Sequence, residues 1–507
     1  MADPTHIRTR SGVAAGAIAA LLATIAMMLL VPLAGVPSPL QLIADRLTTA
    51  VPVDVFGALL GSLESRAKPL AFAAVILGAV VLGGVAGALA ARALRRGLAP
   101  GVLFLVLTAV TWALFAGVVA PLGGIGLVGR DGVAGAPRTG IGFLVIAVVF
   151  AAVLLLELEE VGGAGARDPG RRRILRLAGF GIPAALAAVV VARAGLRMAN
   201  ESAAAPAPAA GTLVPPVTPT EDFYIVSKNF FNPRVALGSW QLTVDGRVER
   251  PRAYTYEELR ARPAVRQITT LECISNPIGG HYISTGEWTG VPLRELLAEV
   301  GLQPGVVDIV LHAADDYADS IPLVAAMDPD TMLVYDLNGA PLEEAHGFPL
   351  RLIVPGIFGM KNVKWITRIE AVDRDFRGYW QQQGWSDVAT VQTMSRIDVP
   401  ADGRTLPAGQ PAMIGGIAFA GDRGISRVEV STDGGKGWAP ATLNVPPSPL
   451  TWVLWTYQWM PVQPGTARIL ARAYDGSGAV QDAPERPPLP DGATGYHSVR
   501  VHVRGAA

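Results

Sequence analysis

The sequence contains very little cysteine and histidine. Cys273 is the only cysteine among 507 residues, and there are six histidines. A single cysteine excludes an internal disulfide, and so few ligands disfavour a structural zinc site. Cys273 is therefore either an inert packing residue or a reactive one. One thiolate can also anchor a soft transition metal if a cofactor supplies the other ligands.

Charged residues are also scarce. They make up 17% of the chain, against 50% hydrophobic residues and a mean hydropathy of +0.37. This balance is too apolar for an ordinary soluble protein, so part of the chain is predicted to lie in a membrane. The 42 basic and 42 acidic residues cancel. No general attraction to nucleic acid follows, and a nucleic-acid partner is not expected.

The apolar excess lies in residues 1–200, which we interpret as a transmembrane helical domain. Five uncharged runs approach the roughly 20 residues that cross a bilayer as a helix. They are residues 13–31, 70–89, 102–122, 141–156 and 182–191. A shorter run, 51–63, carries Asp54 and is interpreted as interfacial or loop. The runs contain no histidine for a haem and no charged centre, which predicts an anchor or a docking surface.

Orientation follows from the basic residues that flank the runs. Arg8 and Arg10 precede the first run, and a cluster follows the second, which predicts a cytoplasmic N-terminus. Five crossings then place everything after Arg197 on the extracytoplasmic side of the plasma membrane. The motif RRRILR at 171–176 resembles a twin-arginine export signal, although ordinary positive-inside anchoring explains it too.

The rest of the chain divides into three predicted segments. Residues 201–220 are rich in Ala and Pro and predict a semi-extended linker. Residues 221–390 mix β-type runs at 240–244, 307–312 and 350–354 with a helical pattern at 293–300, which predicts an α+β domain. Residues 391–507 contain frequent turns between alternating strands, such as 426–430, 467–473 and 497–503. This pattern predicts an antiparallel β-sandwich of immunoglobulin type.

Candidate chemistry lies between residues 221 and 389. The polar residues there form three groups: Lys228 with Asn229, Cys273 with His281, and the basic set His346, Arg351, Lys361 and Lys364. Arg351 interrupts the apolar strand PLRLIVPG, and a buried charge needs a partner. A bound phosphate would supply one. A strand-turn-strand with solvated lysines is the alternative interpretation.

Several motifs carry a family resemblance. TLECISN followed by ISTGEWTGVPLRELLAEVGL resembles the cysteine loop and following helix of the sulfite oxidase family of molybdenum-cofactor enzymes. The stretch from SIPLVAAMDPD to VKWITRIE resembles the core of that family, and ISRVEVSTDGGKGWAPA with YHSVRVHV resembles its immunoglobulin-like domain. The resemblance covers about residues 223–503. It implies a molybdopterin-binding catalytic domain over 221–390 and two-electron oxygen-atom transfer at molybdenum.

The resemblance also implies roles for individual residues. Cys273 would be the thiolate ligand of molybdenum, and Tyr335, in LVYDLNG, would hydrogen-bond an oxo group or the substrate. Lys228 takes the place where sulfite oxidases carry an arginine. The residues implied to hold the pterin and its phosphate are Asn229, Asp315, His346, Arg351, the Asn362 and Val363 backbone, and Lys364.

The departures from the family concern the substrate. Cys273 is followed by ISNPIGGHY, without the arginines that form a sulfite receptor, and lysine lacks the planar fork of arginine. Sulfite oxidation and reduction of an S-oxide or N-oxide, such as methionine sulfoxide, therefore both stay open. A different class is a cofactor-free, membrane-tethered binding or adhesion protein. For the enzyme we expect no haem in this chain, an external cytochrome or quinone-linked electron partner, and a homodimer through the C-terminal domain.

Overall fold

The computed structural model describes residues 9–50, 67–130, 134–162, 203–209, 211–228 and 232–505. The chain divides into two compact units, one dominated by the N-terminal helices and one formed mainly by the residues from 202 onward.

The N-terminal unit consists of apolar helices. They are α1 (Thr9–Ala34), α2 (Pro39–Ala50), α3 (Ala67–Arg95), α4 (Pro100–Leu114) and α5 (Gly135–Gly162). After α4 the chain continues through a π-helical turn, Phe115–Val119, and the short helical segment Ala120–Leu122.

Four of these helical stretches are long and apolar enough to cross a membrane. They are Ser11–Val31, Leu70–Arg95, Pro100–Leu122 and Gly135–Leu158. The first four predicted runs are thus confirmed as helices. The fifth run at 182–191, the RRRILR motif and the run at 51–63 lie outside the described residues, and α2 was not predicted.

The region after the predicted linker begins with a mixed α+β arrangement. Its strands are β1 (Leu242–Gly246), β2 (Arg252–Tyr254), β3 (Val265–Glu272), β4 (Ile283–Pro292), β5 (Asp308–Ala313), β6 (Ala318–Pro322), β7 (Met332–Leu337), β8 (Ala340–Pro341), β9 (Arg351–Ile353) and β10 (Ile366–Val372). The helices are α6 (Tyr256–Arg260), α7 (Leu293–Val300) and α8 (Leu323–Ala326). One sheet has the order β2-β1-β10-β5-β6, and the other has β3-β4-β7-β8 with β9 paired to β7. This mixture agrees with the predicted α+β class.

Helix α7 shows how the local pattern determines an element. Leu293, Leu296, Leu297 and Val300 are its buried residues, at the spacing that places side chains on one face of a helix. Gly301, at a φ of 71°, follows the last helical residue in a conformation that favours glycine. The helix has the predicted bounds.

The C-terminal region consists of two sheets. Its strands are β11 (Met394–Val399), β12 (Thr405–Pro407), β13 (Ala412–Phe419), β14 (Ile425–Ser431), β15 (Ala439–Pro440), β16 (Thr442–Leu443), β17 (Val453–Trp459), β18 (Gly465–Asp475) and β19 (Ser498–Arg504). The sheet orders are β11-β13-β17-β16 and β12-β19-β18-β14-β15. Ile414 and Trp455 of the first sheet share a core with Val428 and Ile469 of the second. The predicted strands are confirmed, but β12 pairs with β19 in parallel, and the immunoglobulin type stays a prediction.

The predicted linker is not a free spacer in its described part. The Ala205 amide donates to the carbonyl of His281 at 2.9 Å, and the Thr218 amide donates to the carbonyl of Thr285 at 2.8 Å. Leu213 packs against a core that spans both regions of this unit. A proline-rich segment lacks many of the amides that regular strand pairing needs. Its remaining amides can still donate to exposed strands and loops. The segment is thus docked on the globular unit.

The α+β region and the C-terminal region share a hydrophobic core. Ile274, Ile283 and Phe358 of the first region pack there with Phe419 and Trp452 of the second. The two regions therefore belong to one compact unit. The predicted boundary between residues 390 and 391 stays a prediction.

Candidate functional site

Cys273 begins the loop that connects β3 to β4. The Cys273 amide donates to the carbonyl of Tyr282 at 2.9 Å, and the Asn276 amide donates to the carbonyl of Cys273 at 2.9 Å. The side chain is 7% exposed, and its Sγ lies 3.0 Å from Oγ of Ser275. Burial raises the pKa of the Cys273 thiol, and hydrogen bonding from Ser275 opposes that shift. The thiol is thus held at the end of a strand in a closed loop.

Asn276 closes this loop from within. Its Nδ2 donates to Oε1 of Glu272 at 2.8 Å, and its Oδ1 accepts the amide of Tyr282 at 3.0 Å. Gly280 is needed beside it, because a Cβ there would collide with Oδ1 of Asn276. Burial raises the pKa of Glu272 to about 7, and its Oε2 is buried without a hydrogen-bond partner in the described structure. The side chains therefore fix the loop geometry locally.

An aromatic cluster surrounds Cys273. Its buried members besides Cys273 are Phe223, Tyr224, Leu271, Trp288, Met332, Val334, Leu337, Leu342 and Ile353. Burial is the largest cause that raises the pKa of Tyr224, and the charge on Cys273 adds to it. A Cβ on Gly359 would lie 2.7 Å from the Tyr224 hydroxyl. The sequence interpretation missed Tyr224, although it lies in the stretch FYIVSKN close to Lys228.

Arg351, at the start of β9, is a buried cation. It is 6% exposed, and its Nη1 donates to the carbonyl of His346 at 3.0 Å. Its guanidinium lies 5.0 Å from the centroid of the Trp288 ring, and its buried Nε has no hydrogen-bond partner in the part of the chain that the structure describes. No acidic side chain of the described ranges forms a salt bridge with it. Burial lowers the pKa of Arg351 to about 10, as expected for a cation removed from water.

Lys364 lies next to Arg351 across a glycine. A Cβ built on Gly347 would lie 3.0 Å from Cβ of Lys364 and 3.1 Å from Cβ of Arg351. Lys364 Nζ donates to the carbonyls of Val226 and Ala345, each at 3.0 Å. The glycine thus keeps open the space between two cationic side chains.

His346 adds an uncharged group to this pair. Burial, followed by the charges of Arg351 and Lys364, lowers the pKa of His346 to about 3. Its ring stands edge-on to Phe223, with centroids 5.6 Å apart. The imidazole is therefore neutral near pH 7. The structure brings together His346, Arg351 and Lys364, and their role in holding the pterin phosphate stays a prediction.

Lys361, which the sequence grouped with these residues, has a different environment. Its Nζ lies 3.2 Å from Oδ1 of Asp319 and 3.4 Å from Oδ1 of Asp387, and it donates to the carbonyl of Ser320 at 2.9 Å. Lys361 and Asp319 are both buried. Lys361 is a structural ion-pair residue, and its grouping with a phosphate site is corrected.

The remaining predicted pterin residues lie in loops. Asn362 Oδ1 accepts the Val354 amide at 2.7 Å, and its Nδ2 donates to the carbonyl of Phe358 at 3.2 Å. The carbonyl of Val363 accepts the amide of Leu352 at 2.8 Å. Asp315 accepts the Tyr317 amide at 3.1 Å in the turn between β5 and β6. These contacts shape the loops, and any contact with a pterin stays a prediction.

Tyr335 is not brought to Cys273. It belongs to the main core of the α+β region, and the Arg260 guanidinium lies 4.6 Å from the centroid of its ring. Its neighbour Val334 packs in the cluster around Cys273. Successive side chains of a strand point to opposite faces of the sheet. Val334 and Tyr335 therefore lie on opposite faces of β7, and the implied hydrogen bond of Tyr335 to an oxo group or the substrate stays a prediction.

The remaining candidate residues are Lys228, Asn229 and His281. Asn229 lies outside the described residues, and Lys228, just before it, is half-buried. His281 lies at the far end of the cysteine loop, and its Nδ1 is buried without a partner among the described residues. Burial, with the nearby charges of Arg396 and His497, lowers the pKa of His281 to about 4.

Comparison with known proteins identifies both regions. Residues 230–380 match the family "Oxidoreductase molybdopterin binding domain", and residues 386–503 match "Mo-co oxidoreductase dimerisation domain". The chain is 32% identical over 314 residues to sulfite oxidase of Gallus gallus, which covers 52% of this chain and 68% of that protein. The chain belongs to the sulfite oxidase family of molybdenum-cofactor oxidoreductases. It is therefore an oxidoreductase.

Two further curated relatives and one solved structure also match. The mitochondrial sulfite oxidase of Homo sapiens is 33% identical over 232 residues, covering 39% of this chain and 42% of that protein. "Inducible nitrate reductase [NADH] 2" of Glycine max is 31% identical, covering 50% of this chain and 35% of its own. The solved structure of the sulfane dehydrogenase SoxCD from Paracoccus pantotrophus aligns with a TM-score of 0.48 and 25% identity, covering 56% of this chain and 80% of its own.

The residues around Cys273 fit a molybdopterin group. A buried thiol offers one soft ligand, which suits a metal whose other ligands come from the cofactor. Arg351 and Lys364 suit the phosphate, because a buried guanidinium with an unpartnered Nε needs an anion. The fit rests on the chemistry of these side chains.

Proposed function

We propose that this protein is a membrane-anchored molybdenum-cofactor oxidoreductase that transfers an oxygen atom to or from a small S- or N-oxo compound. The observation that carries the proposal is Arg351, a buried cation with no carboxylate partner among the described residues. Its guanidinium lies against Trp288, which belongs to the cluster around Cys273. A phosphate at this position would neutralise it. Cys273 would ligate molybdenum.

The residues of the chain would bind and orient the cofactor. Arg351 and Lys364 would hold the pterin phosphate, and neutral His346 would offer a hydrogen bond without adding charge. The predicted contacts of Asn229, Asp315 and the Asn362 and Val363 backbone belong to the same proposal. When bound, the cofactor supplies two-electron oxygen-atom transfer. The aromatic cluster of Phe223, Tyr224 and Trp288 would keep water from the metal.

The substrate is proposed to be sulfite or a related small oxo compound. Sequence similarity to sulfite oxidases supports oxidation. The loop after Cys273 contributes uncharged Ser275 and Asn276, together with His281, which burial keeps neutral. This neutral loop is the specific observation that favours a weakly charged substrate, so sulfoxide reduction is the second candidate.

The surroundings of the enzyme follow from the other segments. The four apolar helices support a membrane anchor, and the flanking arginines support catalysis on the extracytoplasmic side. Electrons would pass to or from a cytochrome or a quinone-linked protein. The dimerisation-type domain at 386–503 supports a homodimer.

The proposal is tested by metal and pterin analysis of the full chain, expressed with ample molybdenum and purified in detergent. We expect close to one molybdenum per chain, and its absence would contradict the proposal. Activity with sulfite and an electron acceptor would establish oxidation. Activity with methionine sulfoxide and a reduced viologen dye, without sulfite turnover, would show that the enzyme catalyses reduction instead of oxidation.

A further inference from the structure

The strand that leads into Cys273 is held by the C-terminal region. The Thr270 amide donates to the carbonyl of Leu450 at 3.1 Å. The Trp452 amide donates back to Oγ1 of Thr270 at 2.9 Å. Thr270 lies three positions before the cysteine and is buried. The two regions are therefore hydrogen-bonded in both directions just upstream of Cys273.

The residue after Cys273 is also fixed by the C-terminal region. Ile274 is 1% exposed and belongs to the core that contains Ile417, Phe419 and Trp452. A branched apolar side chain packed in such a core has little freedom. The backbone on both sides of the cysteine thus depends on contacts from residues beyond 400.

Arg396 of β11 holds the far end of the same loop. It is 2% exposed, its Nε donates to Oδ1 of Asp398 at 2.7 Å, and its Nη1 donates to the carbonyl of Gly280 at 2.9 Å. His497 accepts the Ile397 amide at 2.9 Å, and its ring occupies the place where a Cβ on Gly279 would fall. The buried ion pair therefore directs one donor onto the cysteine loop.

We propose that the C-terminal domain positions the loop that carries Cys273, and that Arg396 is the positioning residue. This role goes beyond joining two copies of the chain. Simple adhesion between two regions does not require contacts before, directly after and at the far end of one ten-residue loop. The inference rests on the proposed ligation of molybdenum by Cys273, because the direction of the sulfur then matters for the reaction.

The first test uses the single cysteine as its own reporter. The double variant Arg396→Met/Asp398→Leu replaces the buried pair by apolar groups, a change that folded proteins commonly tolerate. In the full chain prepared without cofactor, we expect alkylation of Cys273 by iodoacetamide to be about tenfold faster, because the loop opens more often. Hydrogen exchange in α7 should be unchanged, which separates local opening from global unfolding.

Arg423→Met is the matched control for this test. Arg423 also pairs with an aspartate of its own region, Asp475, and donates to a backbone carbonyl, that of Val391, at 3.0 Å. Its hydrogen bonds within the described structure go to Asp475, Val391 and Thr393 and not to the cysteine loop, so the alkylation rate should stay at the wild-type value. Arg396→Lys keeps a cation beside Asp398 and should give an intermediate rate.

The second test uses the enzyme loaded with molybdenum. We expect the double variant to retain the metal but to shift the electron paramagnetic resonance signal of the partly reduced molybdenum, with partial recovery in Arg396→Lys. Wild-type alkylation and a wild-type signal in the double variant overturn the inference. If that variant does not fold, a wild-type alkylation rate in Arg396→Lys overturns it. Wild-type protein without molybdenum contradicts the proposed function instead, because the alkylation test needs no metal.

Discussion

Two buried cations ten positions apart in the chain have opposite environments. Lys361 lies against Asp319 and Asp387, at 3.2 and 3.4 Å. Arg351 has a carbonyl and an aromatic face but no carboxylate in the described structure, and its Nε has no partner. A buried charge is costly unless it is paired. The difference teaches that Lys361 is neutralised within the fold, whereas Arg351 has the environment expected of the proposed phosphate-binding residue.

The largest expected effect concerns Cys273, and it tests whether the site that contains the unpaired Arg351 also contains a molybdenum ligand. We expect Cys273→Ser to abolish turnover while the fold survives, because the two side chains differ little in size. Ser275→Ala, which removes the hydroxyl 3.0 Å from the sulfur, is the control and should retain part of the activity. Turnover and thermal unfolding of the purified variants measure both effects. Wild-type turnover in Cys273→Ser would contradict metal ligation.

The next effect concerns the paired cation. Lys361→Met leaves the buried Asp319 without its main partner, so we expect a loss of about 3 to 5 kcal/mol in the free energy of unfolding. Adding Asp319→Leu should recover most of that loss. Thermal or urea unfolding of the cofactor-free protein measures both variants. A wild-type free energy of unfolding in Lys361→Met would mean that Asp319 does not need Lys361, and the contrast between Lys361 and Arg351 would fail.

The unpaired cation should behave in the opposite way. Arg351→Met removes a charge-assisted contact with the phosphate worth about 1.5 to 3 kcal/mol, so cofactor occupancy should fall. The cofactor-free protein should lose little stability, because no carboxylate is left behind. Molybdenum content, measured beside unfolding, separates the two results. Full occupancy in this variant would count against the phosphate role.

The smallest effect is a pH dependence from His346. Its pKa is about 3 in the folded protein against 6.5 for the free group, so the unfolded chain binds the extra proton first. Stability must therefore fall as pH drops below about 6.5, and at pH 5 the loss is about 2 kcal/mol. His346→Gln should flatten the unfolding curve between pH 7.5 and 5 by that amount. An equal slope in both proteins would mean that His346 is not neutral in the pocket.

Local patterns in the sequence predicted part of the fold. The apolar runs, the helix Leu293–Val300 and the strands of the C-terminal region follow from periodicity over neighbouring residues. The docking of the segment after residue 203 was missed. Its composition contains no information about the distant partners His281 and Thr285 that accept its amides.

The candidate site was predictable in part, through motifs rather than spacing. Cys273, His346, Arg351 and Lys364 were named from the sequence, and the structure gathers the last three. Tyr224, Asn276 and Arg396 were not named, because their roles depend on loop closure and on a second region of the chain. Val334 and Tyr335 of β7 pack in different clusters, which the motif alone did not reveal.

The sequence by itself determined the apolar N-terminal helices, several strands and one helix of the second unit, and the presence of a single thiol together with a set of basic residues. These features depend on composition and on contacts between near neighbours. The tertiary structure decided which of the basic residues is neutralised, because Asp319 lies 42 positions from Lys361 in the chain and only the fold brings it within 3.2 Å. It also decided that the C-terminal region contacts the cysteine loop, because buried polar groups of the loop need hydrogen-bond partners and only the fold brings those partners to them.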